Sequence, residues 1–163
     1  MRINNADYRS VWWEHGRLKM IDQNRLPQDF VIAEFTSHEA VADAIRYMTV
    51  RGAPAIGAAG AFGLALAAQS APETKFRASL KQARQLLITT RPTAVDLVNG
   101  VNYVYEEAIR FIPDIPHARQ VAILAANEFA NRSAEECHKL GEIGNTLIPD
   151  GARILTHCNA GAL

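Results

Sequence analysis

Cysteine is nearly absent: Cys137 and Cys158 are the only two in 163 residues. Two cysteines cannot build the disulfide framework of a small secreted domain, and a reducing, cytoplasmic setting is the default expectation. An excess of one charge is also missing, because 17 Lys and Arg balance 17 Asp and Glu. That balance argues against a general binder of nucleic acid or other polyanions, while leaving local positive sites open. Met1 is not followed by the apolar stretch of a signal peptide. The apolar run 53–68 is uncharged but shorter than the roughly 20 residues of a bilayer span, and it is rich in Ala and Gly rather than Leu and Ile. It reads as a buried helix, and no membrane partner is expected. There is no Gly-x-Gly-x-x-Gly after a strand, no Walker sequence and no nucleophile-elbow serine. The adjacent pairs Cys137-His138 and His157-Cys158 lack the spacing by which side chains share one metal, so no metal site is expected.

What is present suits one globular core, with 48% hydrophobic and 21% charged residues. The chain opens with strand patterns. Val11-Trp12-Trp13-Glu14 and Arg17-Leu18-Lys19-Met20-Ile21 flank His15-Gly16, a two-residue hairpin turn, and 30–35 forms a third strand. The period then switches to helical. Thr36-Ser37-His38-Glu39 fits a capping box, followed by Val41, Ile45 and Met48 at helical spacing. The apolar helix starting near Ala53 comes next, broken at Ser70-Ala71-Pro72. Phe76, Leu80, Ala83 and Leu87 mark an amphipathic helix, 94–112 another, and about 117–144 a long third, in which Cys137 reads as core packing. After the turn Pro149-Asp150-Gly151, Arg153-Ile154-Leu155-Thr156 reads as a buried strand running into a small-residue loop, the opening of a parallel strand-turn-helix unit. The expected fold is α/β overall: a small N-terminal antiparallel strand region, a helical body, and the first strand of a truncated Rossmann-like domain. The domain boundary falls between 1–148 and 149–163.

The stretch around Val50-Arg51-Gly52-Ala53-Pro54 carries the most chemistry. Proline favours the first turn of a helix, so the amides of Gly52, Ala53 and Ala55 lie near a helix N-terminus, where partial positive charge collects. Arg51 adds a planar fork suited to phosphate, and the small residues Gly52 and Ala53 allow a close backbone approach. Gly57, Gly60 and Gly63 cost helix propensity, which a closely packed neighbouring backbone would offset. Arg91, in Thr90-Arg91-Pro92-Thr93, and Cys158, after the last strand, also precede expected helix starts. Helix N-termini favour anions and lower thiol pKa, so all three could converge on a phosphorylated substrate. Taken singly, each has an ordinary alternative: a buried helix that merely begins Arg-Gly-Ala-Pro, a solvated arginine near a cap, and a small buried core cysteine.

Met48-Thr49-Val50-Arg51-Gly52-Ala53-Pro54-Ala55-Ile56-Gly57, Thr90-Arg91-Pro92-Thr93-Ala94 and Ile154-Leu155-Thr156-His157-Cys158-Asn159-Ala160-Gly161-Ala162-Leu163 resemble, in order and spacing, the S-methyl-5-thioribose-1-phosphate isomerase family. The resemblance covers the whole chain and about the first half of that family's usual length. It implies a cofactor-free and metal-free aldose–ketose isomerase of methionine salvage, converting 5-methylthioribose 1-phosphate to 5-methylthioribulose 1-phosphate, and a homodimer. It implies that Arg51, Gly52, Ala53 and Arg91 bind substrate and that Cys158 stands beside the reacting carbons. It also implies that the acid, an aspartate, lies in the second half, on a missing C-terminal segment or partner chain, so that these 163 residues alone are inactive. Two alternatives share the architecture. One is the non-catalytic assembly or sensing module of the translation initiation factor 2B regulatory subunits, which typically lack the cysteine motif. The other is a related ribose 1,5-bisphosphate isomerase.

Overall fold

The computed structural model describes residues 2–3 and 6–157. Two short strands, β1 (Arg2–Ile3) and β2 (Ala6–Asp7), pair antiparallel at the start. A three-stranded antiparallel sheet follows in the order β3-β4-β5, with β3 Val11–Glu14, β4 Arg17–Ile21 and β5 Ile32–Phe35. The hairpin turn is the expected one. His15 and Gly16 both have positive φ, 49° and 75°, which matches the twist of the flanking strands. β5 is shorter than expected: Phe30 lies outside the strand and packs on Tyr8 instead.

Alternation decides the sheet's two faces. Val11, Leu18 and Met20 point inward and are buried, and Trp13 stacks on Phe62 at 5.8 Å. On the outer face Lys19 bridges Glu14 at 2.5 Å and Glu34 at 3.1 Å, and Arg17 reaches Glu34 at 2.9 Å. The hydrogen bond from Lys19 holds both carboxyls below their ordinary pKa, and the two carboxylates together raise that of Lys19.

Five helices make the body: α1 His38–Arg46, α2 Ala53–Ser70, α3 Phe76–Ile88, α4 Val95–Ile109 and α5 Ile115–Asn145. Ser37 caps α1 by accepting from the Ala40 amide, so the cap sits one residue later than the Thr36–Glu39 box predicts. α3 buries Phe76, Leu80, Ala83 and Leu87, as its spacing predicts. α2 is the centre. Its 18 residues are long and apolar enough for a bilayer span, yet every residue from Ile56 to Ala68 is buried in protein. No basic residue lies in its last turn; Arg119 of α5 instead donates to the Ala71 carbonyl at 2.9 Å and the Ala68 carbonyl at 3.3 Å.

The glycines of α2 are where its neighbours come closest. A Cβ on Gly57 would sit 2.8 Å from the Asp96 carbonyl oxygen, and one on Gly100 would sit 2.5 Å from the Gly57 carbonyl oxygen. The backbones of α2 and α4 therefore touch, and their first turns lie side by side.

Three expectations are corrected. Residues 152–157 form no strand, and Ile154 and Leu155 are 63% and 98% exposed. A strand needs a neighbour to bond its backbone, and no described strand lies beside this one. Cys137 is exposed rather than core, because the outer half of α5 leaves the body. Met48 lies past the end of α1 and is exposed, whereas Val41 and Ile45 are buried.

Replacing Gly100 by Ala should destabilise the chain by about 1–3 kcal/mol through backbone overpacking, seen as an earlier urea midpoint. Gly141, whose Cβ position is open, should accept Ala without loss. Equal midpoints for the two variants would refute the close-contact account. The Lys19 cluster predicts pH dependence of a definite sign. Depressed carboxyl pKa values stabilise the fold above the ordinary carboxylate value and lose that contribution as pH falls through the folded value. Lys19→Met should therefore flatten the acid limb of stability below the ordinary 4.5, measured by urea melts across pH.

Candidate functional site

The site begins where α1 stops. Tyr47 is the C-cap, and Met48 takes the left-handed conformation with φ 61°. Thr49 N–H donates to the Ala44 carbonyl at 2.9 Å and Met48 N–H to the Ile45 carbonyl at 3.3 Å, the paired bonds of a Schellman motif. A non-glycine in this position costs on the order of 1 kcal/mol, so the surroundings must hold it there. Val50 is then fully buried, and the chain turns at Gly52 into α2.

Gly52 is the N-cap, with φ 87° and ψ 132°. Nothing lies within 4 Å of a Cβ placed there, so the backbone conformation, and not crowding, calls for glycine. Ala53 is the first helical residue, exposed, and Pro54 the second, one position later than expected. Pro54 carries no N–H. Ile56 N–H makes the first intrahelical bond, to the Gly52 carbonyl at 2.9 Å, which leaves the Ala53 and Ala55 amides as first-turn donors without helical partners.

Arg51 stands at this helix start, half-buried. Its Nε donates to the Met48 carbonyl at 3.4 Å and its Nη2 to Asn24 Oδ1 at 3.0 Å. Asn24 comes from the segment after β4, which two further bonds tie to the end of α1. Gln23 N–H donates to the Thr49 carbonyl at 2.9 Å, and Asn24 Nδ2 to the Tyr47 carbonyl at 3.1 Å. Sequence reasoning missed Asn24 and the strained Met48. Asn24 sits in a polar connection with no period, and its importance comes only from the segment it meets.

Arg91 is half-buried in the turn before α4. The helix expected over 94–112 forms as the slightly shorter α4. Ala94 N–H closes a turn on the Arg91 carbonyl at 3.0 Å, and α4 starts at Val95, capped by Ala94 without a side-chain bond. Because Gly57 touches Asp96, the first turns of α2 and α4 open at one end of the helical body, and the segments carrying Arg51 and Arg91 lead into those turns. Asp96 adds a carboxylate to the first turn of α4, favourable for the helix but repulsive to a phosphate.

Beside this end a groove of about 880 Å³ runs between α4 and α5, its lining including Pro54, Asp96, Tyr103, Phe129, Arg132 and Leu140. Arg132 lies over the Tyr103 ring at 5.2 Å and over Phe129 at 5.9 Å. Desolvation, with a hydrogen bond to Glu128, pushes the Tyr103 hydroxyl above its ordinary pKa. Cys158, the expected thiol, lies outside the described residues. Among the described residues no group of three or more His, Cys, Asp or Glu is placed to hold a metal.

Residues 49–163 match the model of the initiation factor 2 subunit family. The methylthioribose-1-phosphate isomerase of Desulforudis audaxviator is 43% identical over 94% of this chain and 45% of its own length. That of Roseiflexus castenholzii is 40% identical over 98% of this chain and 47% of its own. Among solved structures, 5-methylthioribose 1-phosphate isomerase from Pyrococcus horikoshii OT3 superposes with a TM-score of 0.87 at 38% identity, over 95% of this chain and 44% of that one. Translation initiation factor eIF-2B subunit delta from A. fulgidus superposes with a TM-score of 0.85 at 39% identity, over 96% of this chain and 46% of that one. The chain thus spans a little under half the length of these relatives. With the family model matched from Thr49 through the helical body to Leu163, the chain belongs to the initiation factor 2 subunit family.

Proposed function

We propose that this chain is the phosphate-gripping half of a cytoplasmic aldose–ketose isomerase that converts 5-methylthioribose 1-phosphate to 5-methylthioribulose 1-phosphate without a metal or organic cofactor. The observation that carries the reading is the Arg51 fork held by Asn24 and the Met48 carbonyl beside the first-turn amides of α2. The likeness to named isomerases at 40–43% identity supports the substrate class. In this reading Arg51, Gly52, Ala53 and Arg91 bind the substrate, with the arginines and first-turn amides on its phosphate. Cys158 stands beside the reacting carbons.

The substrate explains why a grip alone is insufficient. Its anomeric carbon carries the phosphate, so ordinary ring opening to a free aldehyde is blocked. Hydrogen must pass from C2 to C1 as the bond from C1 to the ring oxygen breaks. The ring oxygen takes up a proton and the C2 hydroxyl gives one up, so the change is redox-neutral. Those proton movements need a positioned acid or base with water held out. The residues described here offer anion binding at the cradle, and the acid is assigned to the second half of the family's length.

The outer half of α5 supports a seat for that second half. Leu140 and Ile143 are exposed at helical spacing on the helix whose inner half packs Ala118, Ala122 and Ala126 into the core, and Leu147, just past its end, is exposed too. We assign 1–148 to one domain and 149–163 to the opening of a Rossmann-like second domain, and expect a homodimer in the complete protein. A second reading, a non-catalytic assembly module, is favoured by the likeness to eIF-2B subunit delta.

Turnover separates the two. These 163 residues alone should not isomerise 5-methylthioribose 1-phosphate at an enzymatic rate, since lost acid–base help costs roughly 10²–10⁴-fold before the open pocket is counted. A chimera joining this chain to the second half of the D. audaxviator relative should be active, and Cys158→Ser should abolish that activity. In the same chimera Arg51→Ala should chiefly raise KM. A folded chimera that never turns over would favour the assembly module.

A further inference from the structure

The cradle contains a residue that touches Arg51 and stands outside every motif that marks the family resemblance. Resting on the phosphate-binding reading above, we propose that Asn24 is a positioning residue, which orients the Arg51 guanidinium toward the first turn of α2 before any anion arrives. The short polar connection after β4 would then belong to the substrate site.

Geometry carries the argument. Arg51 has two polar contacts, and the one to Asn24 Oδ1, at 3.0 Å, is shorter than the 3.4 Å contact to Met48. The Asn24 amide has its own orientation fixed: its Nδ2 must donate to the Tyr47 carbonyl at 3.1 Å, which leaves Oδ1 facing Arg51. Its backbone is held as well. Asn24 N–H donates to Asp22 Oδ1 at 3.0 Å, and the neighbouring Gln23 N–H donates to the Thr49 carbonyl at 2.9 Å. Asn24 is therefore a braced acceptor, although it is exposed and adds nothing to the core.

An unrestrained arginine loses rotamer entropy when it is immobilised on a ligand. A neutral acceptor that fixes Nη2 removes part of that cost and leaves the charge unpaired, so the attraction for phosphate is retained. A carboxylate there would hold the fork more strongly but would also neutralise it. An amide orients without competing.

The test uses the 163-residue chain and inorganic phosphate as probe, with two readouts: the Arg51 Nε–Hε NMR signal and the phosphate dissociation constant. In Asn24→Ala the Arg51 signal should collapse toward that of a free arginine, and phosphate affinity should fall about 3- to 10-fold, the size of one hydrogen bond. The same substitution in an Arg51→Ala background should change affinity no further. Asn24→Asp, which keeps an acceptor but cannot donate to the Tyr47 carbonyl and neutralises the fork, should weaken phosphate binding as well. An unchanged Arg51 signal in Asn24→Ala would overturn the proposal, as would equal affinity losses with and without Arg51, or an undiminished phosphate affinity in Asn24→Asp. If Arg51→Ala itself leaves phosphate binding intact, the underlying phosphate reading fails. That outcome comes from a different variant and is distinguishable from a failure of Asn24 alone.

Discussion

The contact between the backbones of α2 and α4 is the constraint on which the rest depends. Gly57 and Gly100 meet so closely that neither has room for a Cβ, and Gly60 lies under Leu97 and Val101 in the same seam. A helix with three glycines is intrinsically weak, and its stability must come from burial rather than propensity. Burial is what the surrounding elements provide: the inner face of the sheet on one side, with Trp13 on Phe62, and helices on the others. The small residues that weaken α2 as an isolated helix are those that let it be enclosed.

The position of the candidate cradle follows from that enclosure. With their first turns in contact, α2 and α4 present positive ends at one side of the body, and the segments bearing Arg51 and Arg91 feed into them. The entry to α2 is held in a costly conformation, with Met48 left-handed and Gly52 at φ 87°. Two bonds to the Gln23-Asn24 segment hold the turn in place. Strain kept by cross-links of this kind is common where a backbone must present groups to a ligand.

Two solved structures with different names, an isomerase and an initiation-factor subunit, superpose on this fold about equally well, with TM-scores of 0.87 and 0.85. A shared fold does not decide between functions, which are argued from the site. The long helix α5 shows the same division. Its 31 residues extend about 47 Å; the inner half completes this core, while the outer half carries exposed Leu140 and Ile143 away from it.

Much was legible in the sequence because it depended on local periods. The hairpin at His15-Gly16, the buried stripe of α3, the buried course of α2 and the placement of Arg51 and Gly52 at a helix start follow from alternation, 3.6-residue spacing and proline or glycine chemistry. Tertiary structure alone decided the rest. The glycine spacing of α2 foretold a close neighbour but not that Gly100 would supply it. The cysteine at 137 had a helical position that read as core, yet exposure depends on where α5 leaves its neighbours. The β-type residues at 153–156 formed no strand, because a strand is a property of two segments and the second is not among those described. Asn24 was invisible for the same reason: its bond to Arg51 joins residues 27 positions apart, and no period in either segment encodes their meeting.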